Sequence, residues 1–201
     1  METCPGSNES LPRVVNIHMK AILLPALLLS FALFPVAPAQ TCREVVRDAS
    51  GRIVQTIDRQ KTAGGTERAV IRDASGRMIG TATTQASGGS TSYTQYRDAS
   101  GRSTGSAITH GSANGFSRTS FRDASGRSTG SATTSPSTGG FSRTDFRDAS
   151  GRSAGSETTH ANGTMASTRR DASGRIIGTS SGSGKCATGS RVPVPPSVTK
   201  K

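Results

Sequence analysis

Alternation rather than helical periodicity runs through the chain between residues 42 and 178. In Ser117-Arg118-Thr119-Ser120-Phe121-Arg122 one set of alternate positions carries Ser, Thr and Phe, while the other carries Arg, Ser and Arg. A period of two places successive side chains on opposite faces of a strand, and Thr, Tyr and Phe suit that pleated environment. Arg127-Ser128-Thr129-Gly130-Ser131-Ala132-Thr133-Thr134 reads the same way, so two short strands flank the intervening Asp-Ala-Ser-Gly. That tetrapeptide is turn chemistry. The Asp accepts a hydrogen bond from the backbone two residues on, Ala and Ser suit the centre of a type I turn, and Gly supplies the left-handed residue that follows. A hairpin with a bulge at the glycine results. Its three-residue loop predicts Asp123 opposite Arg127, as a cross-strand ion pair worth a few tenths of a kcal/mol, and Phe121 opposite Thr129.

The hairpin is one copy of a repeat. Arg-Asp-Ala-Ser-Gly-Arg occurs six times, beginning at Arg47, Arg72, Arg97, Arg122, Arg147 and Arg170. A fixed period of 25 residues, 23 in the last step, signals stacked copies of one supersecondary unit. The turn-forming residues are therefore Asp48 and Gly51, Asp73 and Gly76, Asp98 and Gly101, Asp123 and Gly126, Asp148 and Gly151, Asp171 and Gly174. One apolar position recurs just before each motif: Val46, Ile71, Tyr96, Phe121 and Phe146, replaced by Arg169 in the last copy. After the motif the outer copies carry Ile53-Val54, Met78-Ile79 and Ile176-Ile177 where the central ones carry Ser and Thr, a difference expected of capping repeats. Gly/Ser/Asn segments such as 110–115 and 135–140 read as connecting loops.

One large apolar side chain per repeat is too little for a two-layer sandwich. The predicted fold is all-β, a repetitive β-hairpin array of the β-meander or β-roll type, polar and thinly cored, ordered largely by backbone hydrogen bonds and threonine ladders. Low hydrophobicity also allows central copies that order only on binding, but disorder does not require a turn motif in fixed register. After Gly178 the Ser/Gly-rich composition and Arg191-Val192-Pro193-Val194-Pro195-Pro196 predict a disordered, basic C-terminal tail over 179–201.

The aliphatic residues missing from the repeats are concentrated upstream. Every leucine lies at or before Leu33. Residues 19–39 begin with Met19-Lys20, continue through a short apolar stretch and end in Ala37-Pro38-Ala39, the layout of a secretory signal peptide cleaved before Gln40. The alternative is an uncleaved anchor. The apolar segment 21–36 is interrupted by Pro25 and Pro35, whereas a spanning helix needs about 20 apolar residues. No stable transmembrane span is expected after cleavage. Residues 1–18 read as an extension upstream of the true start at Met19. The repeat domain then covers 40–178 and the expected location is exported: periplasmic, cell-surface or secreted. In such a compartment Cys42 and Cys186, which bracket the array, are candidates for a disulfide, with free thiols or intermolecular pairing as alternatives.

Composition narrows the chemistry. Of 201 residues 31% are hydrophobic, and 25 basic against 13 acidic side chains give a net charge of +12. The leader carries two charges of each sign, so the charge survives its removal. The motif contributes 12 Arg and 6 Asp, half of that charge in regular steps. Periodic arginines suit an extended anionic polymer bound through many weak contacts. The candidate contacts are Arg97, Arg102, Arg122, Arg127, Arg147 and Arg152, with anionic polysaccharide, lipopolysaccharide or extracellular DNA as partners. The plainer alternative is that Arg/Asp pairs keep a polar sheet soluble and blunt its edges.

Catalytic signatures do not assemble. His110 and His160 occupy one repeat position, expected in a loop, that is Gln60, Gln85 or Ser135 elsewhere. No His/Cys cluster has zinc spacing, the aspartates lack calcium-loop spacing, and no serine has a recognisable histidine and acid partner. No catalytic residue, metal, cofactor or small-molecule substrate is expected.

The element aromatic–x–Asp–x–x–Gly–Arg, as in Tyr96-Arg97-Asp98-Ala99-Ser100-Gly101-Arg102, resembles the Tyr-Asp (YD) repeats of bacterial RHS-type surface and toxin-delivery proteins. That resemblance implies an exported bacterial β-hairpin repeat protein and transfers no active site. Here an arginine separates the aromatic residue from the aspartate, which moves one side chain to the opposite face. The function expected is a secreted or periplasmic, non-catalytic structural or adhesive element. One alternative is an exported effector or toxin-associated repeat fragment. Another is a nucleic-acid-binding module in which Tyr96, Phe121 and Phe146 stack bases.

Overall fold

The computed structural model describes residues 40–62, 64–162 and 164–184. The signal-peptide and start-site readings, Cys186 and the tail beyond 184 lie outside them. Twelve antiparallel strands follow one another in an up-and-down meander: β1 (Gln40–Asp48), β2 (Ile53–Lys61), β3 (Glu67–Asp73), β4 (Met78–Ala86), β5 (Thr91–Asp98), β6 (Ser103–Gly111), β7 (Ser117–Asp123), β8 (Ser128–Ser137), β9 (Phe141–Asp148), β10 (Ser153–Asn162), β11 (Thr164–Arg170) and β12 (Ile176–Gly184).

The all-β hairpin array is observed, but it is neither an open meander nor a roll. β1 pairs with β12, from Cys42 opposite Gly184 to Asp48 opposite Gly178, and the sheet closes into a barrel. Closure satisfies the edge strands that a linear array leaves unpaired. β12 also continues six residues beyond Gly178, where composition alone suggests a tail, because its Ser and Gly residues complete the pairing with β1. The first and last repeats meet, so neither end of the array needs a cap.

Register explains how one large side chain per repeat suffices for a core. A bulge between Phe121 and Arg122 places Phe121 opposite Gly130 rather than Thr129. On its other side Phe121 faces Ala107 of the preceding hairpin. Tyr96 lies likewise between Ala82 and Gly105, and Phe146 between Ala132 and Gly155. Each large ring therefore occupies the volume left by a small neighbour on either side, the complementarity that dense packing demands. Phe121 is 2% exposed, and Tyr96 and Phe146 are buried with it. The interior glycine is also held tight from outside its hairpin. A Cβ on Gly80 would come within 2.7 Å of the Arg97 carbonyl oxygen, and one on Gly130 would collide with that of Arg147.

Above this apolar layer the interior is polar. Thr84 and Thr94, Thr109 and Thr119, and Thr134 and Thr144 share hydroxyl hydrogen bonds of 2.8–2.9 Å, three separate cross-strand pairs in place of the expected threonine ladder. In the seam repeats charge replaces hydroxyls. Buried Arg59 bonds Glu44 at 2.9 Å and Glu67 at 3.4 Å, and among the described residues its Nε has no hydrogen-bond partner. Arg169, which takes the aromatic position in the last copy, lies 5.3 Å from the Phe146 ring centre and opposite Glu157 in register. Its cation on an aromatic face is why this position tolerates an arginine.

Candidate functional site: the arginine rim

The six motif turns all connect an odd strand to the following even one. In an antiparallel meander every such turn falls at the same end of the sheet, so closure gathers the six motifs into a ring on one rim. What the sequence presents as a row is a crown of 12 Arg and 6 Asp.

Each turn is built identically. The Gly amide donates to the Asp carbonyl oxygen at 3.0–3.1 Å, and the Asp amide donates to the carbonyl oxygen of the second arginine at 2.9 Å. In the fourth copy Asp123 Oδ1 accepts the amides of Ser125 and Arg127, both at 2.9 Å. Gly126 has φ 81°, a left-handed conformation that the turn requires and glycine adopts without strain. The first arginine of each motif folds back over its turn, its Nη1 donating to the glycine carbonyl oxygen at 2.7–3.0 Å, as Arg97 does to Gly101 and Arg147 to Gly151.

The expected Asp–Arg ion pair across the turn is replaced by these backbone bonds. Among the described residues the exposed ion pairs are Arg43–Asp58, Arg72–Asp58 and Arg143–Asp145, and none uses a motif aspartate. The motif carboxylate is turned toward its own loop amides, which satisfy it at shorter range than a mobile guanidinium does. At Asp48, Asp73 and Asp171 the side-chain hydrogen bond from the loop serine is the first cause of a lowered carboxyl pKa, and the second arginine's charge contributes least.

The second arginine of each motif is thereby left to solvent. Arg52, Arg77, Arg102, Arg127, Arg152 and Arg175 are all exposed, and among the described residues none of their guanidiniums makes a hydrogen bond or an ion pair. The six candidate contacts taken from the central copies therefore divide by role: Arg97, Arg122 and Arg147 brace turns, while Arg102, Arg127 and Arg152 project freely. The structure adds Arg52, Arg77 and Arg175 as their equals. Their motif is identical, but a linear array gives no reason to group its two ends.

Other candidates are resolved by burial. Tyr96, Phe121 and Phe146 point into the barrel, so they pack and are not available to stack on a base; burial also pushes the Tyr96 phenol upward. His110 and His160 lie in strands β6 and β10 rather than in loops, because those strands extend into the first residues of the segments with loop composition. His110 Nδ1 is 3.1 Å from the Thr91 hydroxyl, and His160 meets the Phe141 ring edge-on at 4.1 Å. Among the described residues no group of three His, Cys, Asp or Glu is placed to hold a metal ion. Cys42 is disulfide-bonded. Its register partner Gly184 precedes Cys186 by two residues. Comparison with family models, curated proteins and solved structures returned no match.

Proposed function

We propose that this chain is an exported, non-catalytic barrel that attaches to anionic cell-surface material through its arginine rim. The observation that carries this reading is the set of six exposed second arginines, one per turn, whose guanidiniums make no hydrogen bond or ion pair among the described residues and gather at one end of the barrel. A guanidinium is permanently charged and presents several donors suited to phosphate and carboxylate oxygens. Six in a ring suit a flat or densely branched polyanion, such as a lipopolysaccharide layer, better than a single extended strand, which can follow only part of the ring at a time. Exposed arginines joined through one rigid scaffold act multivalently.

The test is binding of the mature chain to lipopolysaccharide and to heparin, a soluble polyanion, across a salt series. Binding is expected to weaken about tenfold or more between 0.05 and 0.2 M salt, as screening shortens the reach of surface charge. The triple variant Arg102→Gln, Arg127→Gln, Arg152→Gln is expected to bind several-fold more weakly with its fold intact. Salt-insensitive binding, or no binding to either polyanion, contradicts the proposal.

A further inference from the structure

Closure gives the aliphatic pairs a new neighbourhood. Ile53-Val54 open β2, Met78-Ile79 open β4 and Ile176-Ile177 open β12, and because β12 pairs with β1 the three pairs occupy one continuous arc of the arginine rim. All six side chains are exposed, from 37% at Met78 and Ile79 to 47% at Ile176. Each pair coincides with the bulge in its hairpin, where alternation breaks and both members are presented to solvent. The rest of the rim carries Ser103-Thr104, Ser128-Thr129 and Ser153-Ala154 at the same positions.

The arc is not purely apolar. Arg47 stands opposite Ile53, Arg72 opposite Met78 and Arg170 opposite Ile176, while the free Arg52, Arg77 and Arg175 precede the three pairs in the chain. Aliphatic side chains and arginines therefore alternate from strand to strand around this side of the barrel end. A second copy of the chain is a poor occupant, since a symmetric dimer on this face would bring arginines against arginines. A lipid surface matches both components: anionic headgroups accept the guanidiniums, and the acyl boundary below receives the short aliphatic side chains while arginine stems lie along it.

We infer that the arc formed by Ile53, Val54, Met78, Ile79, Ile176 and Ile177 inserts shallowly into an anionic lipid leaflet, tipping the barrel onto its seam side. This rests on the proposed role of the arginine rim and adds to it an apolar, orientation-setting contact. Both ends of the described barrel, Gln40 and Gly184, lie at the rim opposite this arc.

The experiment uses the mature chain with vesicles of phosphatidylcholine, with and without phosphatidylglycerol, alongside heparin. One variant gives all three pairs the Ser-Thr of the third and fourth repeats, a substitution the same hairpin already accommodates. It is expected to lose about tenfold or more of its binding to anionic vesicles while keeping heparin affinity within about twofold. The chain contains no tryptophan, so a single reporter is unambiguous. Ile177→Trp should shift its emission to the blue on adding anionic vesicles, and Thr129→Trp, at the equivalent position across the rim, should shift much less. Equal shifts at the two positions, unchanged vesicle binding by the Ser-Thr variant, or its conversion of a dimer to a monomer without loss of vesicle binding would overturn the inference. Absence of heparin binding by the unaltered chain would instead overturn the rim reading itself.

Discussion

The motif aspartate closes its turn by accepting loop amides, and its neighbouring arginines are consequently left for other uses. At Asp48, Asp73 and Asp171 the carboxyl also accepts the serine hydroxyl at 2.7 Å, and its pKa lies below the ordinary value of 3.8. The sign follows from linkage: a group with a depressed folded-state pKa adds stability above its unfolded value and loses it as the pH falls through the folded one. The thermal midpoint is therefore expected to fall as the pH drops below about 3.8, and the variant Asp48→Asn, Asp73→Asn, Asp171→Asn, which keeps an acceptor oxygen without the charge, should show a shallower decline. Identical acid profiles for the two proteins would contradict this assignment. The turn was legible in the sequence down to the Asp acceptor and the left-handed glycine, because both are local. The ion pair expected from facing charges did not form, since proximity in register says nothing about which donor reaches the carboxylate first.

At the level of the hairpin, the decisive residue is the interior glycine. Gly130 combines φ 146°, rarely adopted by residues with a side chain, with close approach of the Arg147 carbonyl oxygen. Gly126 in the turn has a left-handed φ and nothing within 4 Å of an added Cβ. Gly130→Ala should therefore destabilise by about 1–3 kcal/mol in urea unfolding. Gly126→Asn, to a residue that tolerates the left-handed region, should cost distinctly less. A reversed order would contradict the register. Alternation and turn spacing in the sequence reveal the strands and where the hairpins bend. They do not reveal the bulge that moves Phe121 from Thr129 to Gly130, because its cause is packing: only a glycine leaves room beside the ring. Nor do they identify the strand ends. The Gly/Ser segments at 110–111 and 135–137 and the Ser/Gly run to 184 carry loop composition, yet they are paired in the ladder, where the neighbouring strand decides the conformation.

For the molecule as a whole, closure turns periodicity into geometry. Six copies in a line would give two ends, two unpaired edges and a row of charges; the same copies in a ring give none of the first two and a charged rim. The sequence holds the six-fold repeat and the charge it carries, but β1 and β12 are far apart in the chain and their pairing leaves no local signature. The atypical residues of the outer copies were the available clue. Read along the chain they look like caps, whereas around the ring they form one arc and place the Glu44–Arg59–Glu67 cluster beside the seam. The proposed attachment depends on this closure, because only a ring brings Arg52 and Arg175 together with the central arginines. Hydrogen exchange resolved to single amides tests it most directly. In the closed barrel the amides of β1 and β12 between Arg43 and Arg47 and between Thr179 and Ser183 should be protected to the same order as those of β6 and β7. Exchange of alternate β1 and β12 amides at the rates of unpaired edge strands, with β6 and β7 still protected, would show an open array and contradict the account.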